Sequence, residues 1–183
     1  MTEVVLIYGG TKQPSRLNGI FNEAKSYLEK RQLVVHPLYV HDIPAEDLIH
    51  TNFKSAAVKK ANATISAAHA IVVMTPVYKA SFSGILKTYL DLVPEKGLQN
   101  KTILPIAIGG SLGHLLSIEY SLKPVLSVLG ANQILDSIFV HDQQVKRLDR
   151  NKFFIEEATS FRLHNGLKRL ADEAVLRSSV IPI

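Results

Sequence analysis

Five short apolar runs, each set apart from the next by a segment of helical periodicity, restrict this chain more than any other feature. Val4-Val5-Leu6-Ile7-Tyr8 is rich in β-branched residues and stops at Gly9-Gly10, which reads as a buried strand. Leu33 to Tyr39, Ala70 to Met74, Thr102 to Ile108 and Gln133 to Val140 read the same way. Between them, Ile20, Ala24, Tyr27 and Leu28 recur at helical spacing. Ala57, Ala61 and Ile65 mark one face of a helix expected over Phe53 to Ala67, and Ile85, Leu86, Tyr89, Leu90 and Val93 mark the next. Leu115 to Leu129 and Phe154 to Leu176 complete the helical set. Strands that alternate with helices need crossover connections and therefore a parallel sheet. Strand centres that are apolar on both sides need helices on both faces. The expectation is an α/β three-layer sandwich around a five-stranded parallel sheet. The polar stretch His141 to Arg150 reads as a mobile connection. With no repeat and no internal boundary, residues 1–183 form a single expected domain.

Composition removes several function classes. The chain has no cysteine, which excludes a disulfide framework, a thiolate metal site and a cysteine nucleophile. Its histidines share no metal-ligand spacing, so no metal is expected. No apolar run approaches the roughly 20 residues that span a bilayer, and the start, Met1-Thr2-Glu3-Val4, has no secretory pattern. A cytoplasmic location is the expectation, with no membrane partner. The formal net charge is +5. Its basic residues are scattered, with the densest cluster, Lys146-Arg147 to Lys152, interrupted by Asp149. No basic stripe is interleaved with aromatics, so no nucleic-acid partner is expected. A solvated face, or attraction of small anionic ligands, fits this balance better.

Three segments that follow strands carry the chemistry. Gly9 to Gly19 leads from the first strand into the first helix, where free backbone N–H groups favour an anion. Thr11, Ser15 and Asn18 are side-chain donors there, and Arg16 offers a charged fork for phosphate oxygens. The stretch has neither GxxxxGK[ST] nor GxGxxG, and it suits a single terminal phosphate. A helix N-cap formed by Ser15 or Asn18 explains these residues equally well. Thr75-Pro76-Val77-Tyr78-Lys79-Ala80-Ser81-Phe82-Ser83-Gly84 reads as a loop between strand three and the next helix. Within it Tyr78 offers a flat face, while Ser81, Ser83 and Gly84 permit close backbone approach. Gly109-Gly110-Ser111-Leu112-Gly113-His114 closes the fourth strand. Ligands of open α/β sheets bind at such carboxyl ends of strands.

Together these loops resemble the NADPH-dependent FMN reductase family, and within it the branch that supplies reduced flavin to alkanesulfonate monooxygenases. The similarity spans at least Val4 to Phe139. It rests most specifically on Thr75 to Ala80, Ser83-Gly84 to Lys87, and Glu119-Tyr120-Ser121-Leu122-Lys123-Pro124-Val125-Leu126-Ser127. The resemblance implies a flavodoxin-like fold with FMN and NADPH, or NADH, as its ligands. It also implies that Thr11, Ser15, Arg16 and Asn18 hold the FMN phosphate. Pro76, Val77, Tyr78 and Lys79 would line the isoalloxazine edge, bordered by Gly109, Gly110 and Ser111. The first loop departs from the family's commonest spacing by extra residues around Pro14, and Asn18 replaces a frequent serine-type pattern. A homodimer or homotetramer is implied as well. Leu86, Tyr89, Leu90, Leu122 and Leu126 are the expected contact residues, with shared core and interface use as the alternative.

Pro124 falls inside the expected helix from Leu115 to Leu129 and has no N–H for the carbonyl of Tyr120, so the ladder must break there. A π-bulge, a simple kink, or a helix that starts after Ser121 would each satisfy that demand. The resemblance favours the bulge and assigns Tyr120 to flavin exchange and assembly. Hydride transfer to flavin needs no protein nucleophile, so no catalytic side chain is expected. His114 is the histidine nearest the site, as a contact to flavin or nicotinamide phosphate, as a helix N-terminal cap, or as a buried hydrogen-bonded histidine. With no tryptophan in the chain, Tyr78 is the one evident stacking residue. One aromatic contact contributes about 0.5–1.5 kcal/mol, so a missing second wall loosens FMN without abolishing binding. The expected activity is an NAD(P)H:FMN oxidoreductase that supplies reduced flavin to a partner monooxygenase in sulfonate sulfur acquisition. The alternatives are an FMN-bound reductase of quinones, azo dyes or metal oxyanions, and a non-enzymatic electron carrier.

Overall fold

The computed structural model describes residues 1–11, 15–149 and 152–180. Strands β1 (Glu3–Tyr8), β2 (Val34–Tyr39), β3 (Ala70–Tyr78) and β5 (Thr102–Gly109) pair in parallel, in the order β2-β1-β3-β5. The fifth expected strand is split in two. β6 (Gln133–Ile134) and β7 (Ile138–His141) both run parallel to β5 on its outer side, against its first and second halves. Chain direction reverses its lateral march between β1 and β3, which is the point where flavodoxin-like sheets open a crevice.

Side chains alternate across the sheet with the period of two that a strand requires. Val5, Ile7, Ile71, Val73 and Ile103 face one layer, formed by α3 (Ala56–Ser66), α4 (Gly84–Leu90) and α5 (Lys123–Val128). Val4, Leu6, Val72, Leu104 and Ile106 face the other, formed by α1 (Arg16–Lys30) and α6 (Glu157–Val180). A short helix, α2 (Ala45–Ile49), adds Leu48 to the first layer. Burying one such aliphatic side chain contributes about 1.5–3 kcal/mol, so the two layers fix the sheet's register by their number alone. Among the described residues no helix is long and apolar enough to cross a membrane.

Three expectations need correction. The stretch after Met74 is not a loop: β3 continues to Tyr78 and turns back antiparallel as β4 (Ser81–Phe82). The polar segment after His141 is not a loose connection either. It forms an antiparallel ribbon, β8 (Val145–Asp149) with β9 (Lys152–Ile155), and α6 begins only at Glu157. The ribbon packs on α1, where a Cβ at Gly19 would lie 2.8 Å from Phe153. Finally, Leu86, Tyr89, Leu90, Leu122 and Leu126 are all core residues and offer nothing to a partner. The exposed apolar side chains of this region are instead Tyr78, Leu112, Leu115, Leu116, Tyr120 and Val128.

Candidate functional site

The turn after β1 is shaped by the last residue of that strand. Tyr8 is buried, and its hydroxyl donates to Asn18 Oδ1 at 3.0 Å and lies 3.3 Å from Ser15 Oγ. Burial raises its pKa, so the group stays a donor. Asn18 Oδ1 also accepts from the Ser15 amide at 2.7 Å, which makes Asn18 the N3 partner in a capping box whose N-cap is Ser15. The cap reading therefore holds for its oxygen, while its Nδ2 has no hydrogen-bond partner among the described residues. Gly10 lies against the Tyr8 ring, where a Cβ would approach within 2.6 Å. Only glycine lets the chain lie that close. Gly9 donates to Met74 O at 2.7 Å, and Ser83 Oγ donates to Gly9 O, which binds the first turn to the second.

Arg16 opens α1 and is exposed. Its Nε donates to Val145 O at 2.9 Å, so the ribbon fixes the guanidinium while its two Nη groups are without partners among the described residues. The first-turn amides of this 15-residue helix point the same way as any helix N-terminus, toward an anion. Thr11 is exposed beside them. The inserted residues around Pro14 lie outside the described residues. His41, which the sequence did not single out, closes the far side: its Nδ1 donates to Gly10 O at 3.1 Å. Its ring meets the Tyr8 ring edge-on at 5.7 Å. Its place just past the second strand was the available signal.

The second element is the β3–β4 hairpin. Pro76 and Val77 are half-buried, and Tyr78 and Lys79 are exposed at the tip. Thr75 Oγ1 accepts from the Ser83 amide at 3.0 Å and donates to Pro76 O at 2.9 Å, closing the base of the hairpin. Lys79 and Ala80 form the two-residue turn, with φ of 49° and 63°. Positive φ at both central positions is the twist a tight hairpin needs, and glycine or asparagine usually supplies it. A side chain in that region costs about 1–2 kcal/mol, and such strain collects at ligand clamps. Ala80→Gly should therefore raise the urea midpoint by the equivalent of about 1 kcal/mol, after glycine's own entropy is offset. An unchanged midpoint would mean that the turn holds no strain.

The third element starts at Gly109, where a Cβ would stand 3.3 Å from Val77 Cβ and 3.2 Å from the Phe139 ring. This contact brings the end of β5 against the hairpin. Gly110 and Ser111 are exposed, and Ser111 Oγ accepts from the Gly113 amide at 3.2 Å. His114 is half-buried in the short 3₁₀ turn Leu112–His114. Thus the expected positions on β1, β3 and β5 gather at one rim of the sheet. Thr11, Ser15, Arg16 and Asn18 sit at one end, and Pro76 to Lys79 with Gly109 to Ser111 sit at the other.

Beyond this rim, Ile118–Leu122 is a π-helical turn that runs directly into α5. Lys123 N–H reaches back five residues to Ile118 O, and Pro124, in the first turn of α5, has no N–H to give. The wide turn and the helix restart are thus one structure, and proline explains both. Tyr120 projects from it with 79% of its surface exposed. Lys123 and Ser137 both bind the Glu119 carboxylate and hold it below the usual carboxylate range. Ser121 Oγ donates to Ser117 O and accepts from Ser81 Oγ at 3.3 Å, so the π-turn touches the hairpin directly.

A family model described as NADPH-dependent FMN reductase matches residues 2–146. The chain is 43% identical to an FMN reductase (NADPH) of Pseudomonas putida KT2440, over 90% of this chain and 84% of that one. It is 42% identical to an FMN reductase (NADPH) of Escherichia coli K12, over 78% and 74% of the two chains. Among solved structures, the apo form of an NADH:FMN oxidoreductase, EmoB, superposes with a TM-score of 0.83 at 28% identity. That match covers 93% of this chain and 89% of the other.

Proposed function

The chain belongs to the NADPH-dependent FMN reductase family and is an NAD(P)H:FMN oxidoreductase, and from that premise we propose that it is the reductase half of a two-component system. In this reading FMN is a substrate that arrives oxidised and leaves reduced, for a flavin-dependent monooxygenase in sulfonate sulfur acquisition. Bound FMN supplies the hydride acceptor; the protein supplies position and dipoles. The first-turn amides of α1, Arg16 Nη, Thr11 and Asn18 Nδ2 take the phosphate. Ser15 supports them through its bonds to Asn18 and Tyr8. Pro76, Val77, Tyr78 and Lys79 border the ring on one side, and Gly109, Gly110 and Ser111 present backbone on the other. Water is kept from the ring by a second copy of the chain, which docks on the apolar strip from Leu112 to Val128.

One observation carries the exchange reading. Tyr78, at the tip of the hairpin, is 55% exposed, whereas the other aromatic of the hairpin, Phe82, is turned to the core with Val77 and offers no second wall at the tip. A flavin held by one open wall and a phosphate turn leaves readily, because each missing stacking partner weakens binding by about 0.5–1.5 kcal/mol, or roughly twofold to tenfold. The test is to load the protein with FMN, pass it through a desalting column and measure retained flavin. NADPH and NADH oxidation are then followed with FMN below and above the enzyme concentration. Exchange predicts little retained flavin, a rate that saturates with free FMN, and reduced FMN in an anaerobic ultrafiltrate. Stoichiometric flavin after the column, with turnover independent of added FMN, would overturn it.

A further inference from the structure

At the end of the sheet opposite the three turns, a cavity of about 390 Å³ opens beside the C-terminus of α3 and the segment that leads into β5. His69, Lys96, Gln99, Asn100, Lys101 and Arg177 line it, and no carboxylate is among the described lining residues. Lys101 is only 7% exposed. Its Nζ donates to Ser66 O at 2.8 Å and to Ala68 O at 2.7 Å, which covers the negative end of α3. An ammonium carries three N–H groups, so one remains. Burial pushes the lysine pKa down to about 8, as expected for a cation without a counter-charge.

His69 is 9% exposed, and its Nδ1 accepts from the Glu3 amide at 3.1 Å. That bond fixes the neutral tautomer, so Nε2–H is a donor, and it has no hydrogen-bond partner among the described residues. Burial also lowers the pKa of this ring, which keeps it neutral. Arg177 donates Nε to Thr102 Oγ1 at 2.9 Å and to Gln133 Oε1 at 3.0 Å, and its Nη2 bonds Gln133 as well. Its Nη1 is without a partner among the described residues. The cavity therefore collects two cationic groups and a fixed imidazole donor, with exposed Lys96 at its edge, and none of its described lining residues is a carboxylate. A buried cation such as Lys101 is costly in that state unless something anionic joins it.

We infer that this cavity binds a tetrahedral oxyanion, either as free sulfate or phosphate or as the phosphate group of a nucleotide. Lys101 Nζ, His69 Nε2 and Arg177 Nη1 are its donors. The site is separate from the flavin rim, because it lies where β3 and β5 begin rather than where they end.

The test is an NMR titration of isotopically labelled protein at constant ionic strength, with sodium sulfate, sodium phosphate, adenosine 2′-phosphate and, as control, sodium chloride. Residue-by-residue shifts separate this cavity from the rim, where Gly10 and Arg16 would respond instead. Saturable shifts at the His69 ring and at the Gln99 and Lys101 amides are expected with an oxyanion and not with chloride. Saturation by the inorganic ions identifies a free anion; saturation by the nucleotide alone identifies a phosphate monoester. Lys101→Met should weaken binding about tenfold or more. Since Lys101 also caps α3, Arg177→Gln is the second variant, and it should weaken binding with the fold intact. Shifts that stay linear and match chloride, or undiminished affinity in both variants, would overturn the assignment.

Discussion

Arg16→Ala is expected to weaken FMN about 10- to 100-fold while it leaves riboflavin within about threefold. Hydrogen bonds to charged groups contribute about 1.5–3 kcal/mol, and 1.4 kcal/mol is about tenfold in affinity. In the proposed site only the phosphate meets the guanidinium, so riboflavin, which lacks it, has nothing to lose. The geometry supports that division of labour. The Nε of Arg16 is already engaged with Val145 O, which holds the fork in place and leaves the Nη groups outward. Removal of the side chain also cuts a tether to the β8–β9 ribbon, and this could disturb both ligands. Arg16→Lys isolates the two effects, because it keeps a charge and loses the planar fork. It should recover part of the FMN affinity and little of the ribbon bond. Equal losses for FMN and riboflavin in fluorescence titrations would show that Arg16 reads no phosphate and only braces the ribbon.

Much of this fold was legible because its strands are apolar on both faces. Runs such as Val4 to Tyr8 and Thr102 to Ile108 fit nothing but the centre of a covered sheet, and their spacing demanded crossovers. The β3–β4 hairpin was not legible for a local reason. Pro76, Lys79 and Ala80 carry no strand preference, and the turn uses left-handed backbone without the glycine or asparagine that would announce it. The ribbon was hidden similarly. Val145 is buried but Lys146, Arg147, Leu148 and Asp149 are all exposed, so the alternation that marks a half-buried strand is missing from β8. Helical spacing could not tell a core face from an interface face. That is why Leu86, Tyr89 and Leu126 looked available to a partner while the exposed Leu115 and Leu116 went unnoticed for that purpose. Of the candidate site, the place of each segment past its strand was readable from the chain, but bonding was not. The Ser15–Asn18 capping box, Tyr8 as its support and His41 on Gly10 O all depend on how the turns are folded. Pro124 shows the opposite case, because a missing donor is a property of the residue itself and forced the break wherever the helix ran.

Tyr120→Ala should leave the folded chain as stable as before, within about 0.5 kcal/mol, since the side chain is exposed. Its effect should appear instead between chains and at the flavin. A tyrosine buried at the centre of an interface contributes about 2 kcal/mol or more, so its loss should raise a subunit dissociation constant about 30-fold. The π-turn gives this change a route to the ring. Tyr120 lies one residue before Ser121, whose hydroxyl meets Ser81 on the hairpin that carries Tyr78. A partner that presses on the π-turn would thereby hold the hairpin closed, and its departure would let the hairpin open. Sedimentation velocity should show smaller species for the variant at a concentration where the parent is assembled. Stopped-flow displacement should show FMN leaving faster by a comparable factor. A variant that falls apart yet releases FMN at the parental rate would separate assembly from exchange and break the proposed link through Ser81 and Ser121. A variant unchanged in both measurements would remove Tyr120 from either role, and the π-turn would then be only the consequence of a proline in a helix.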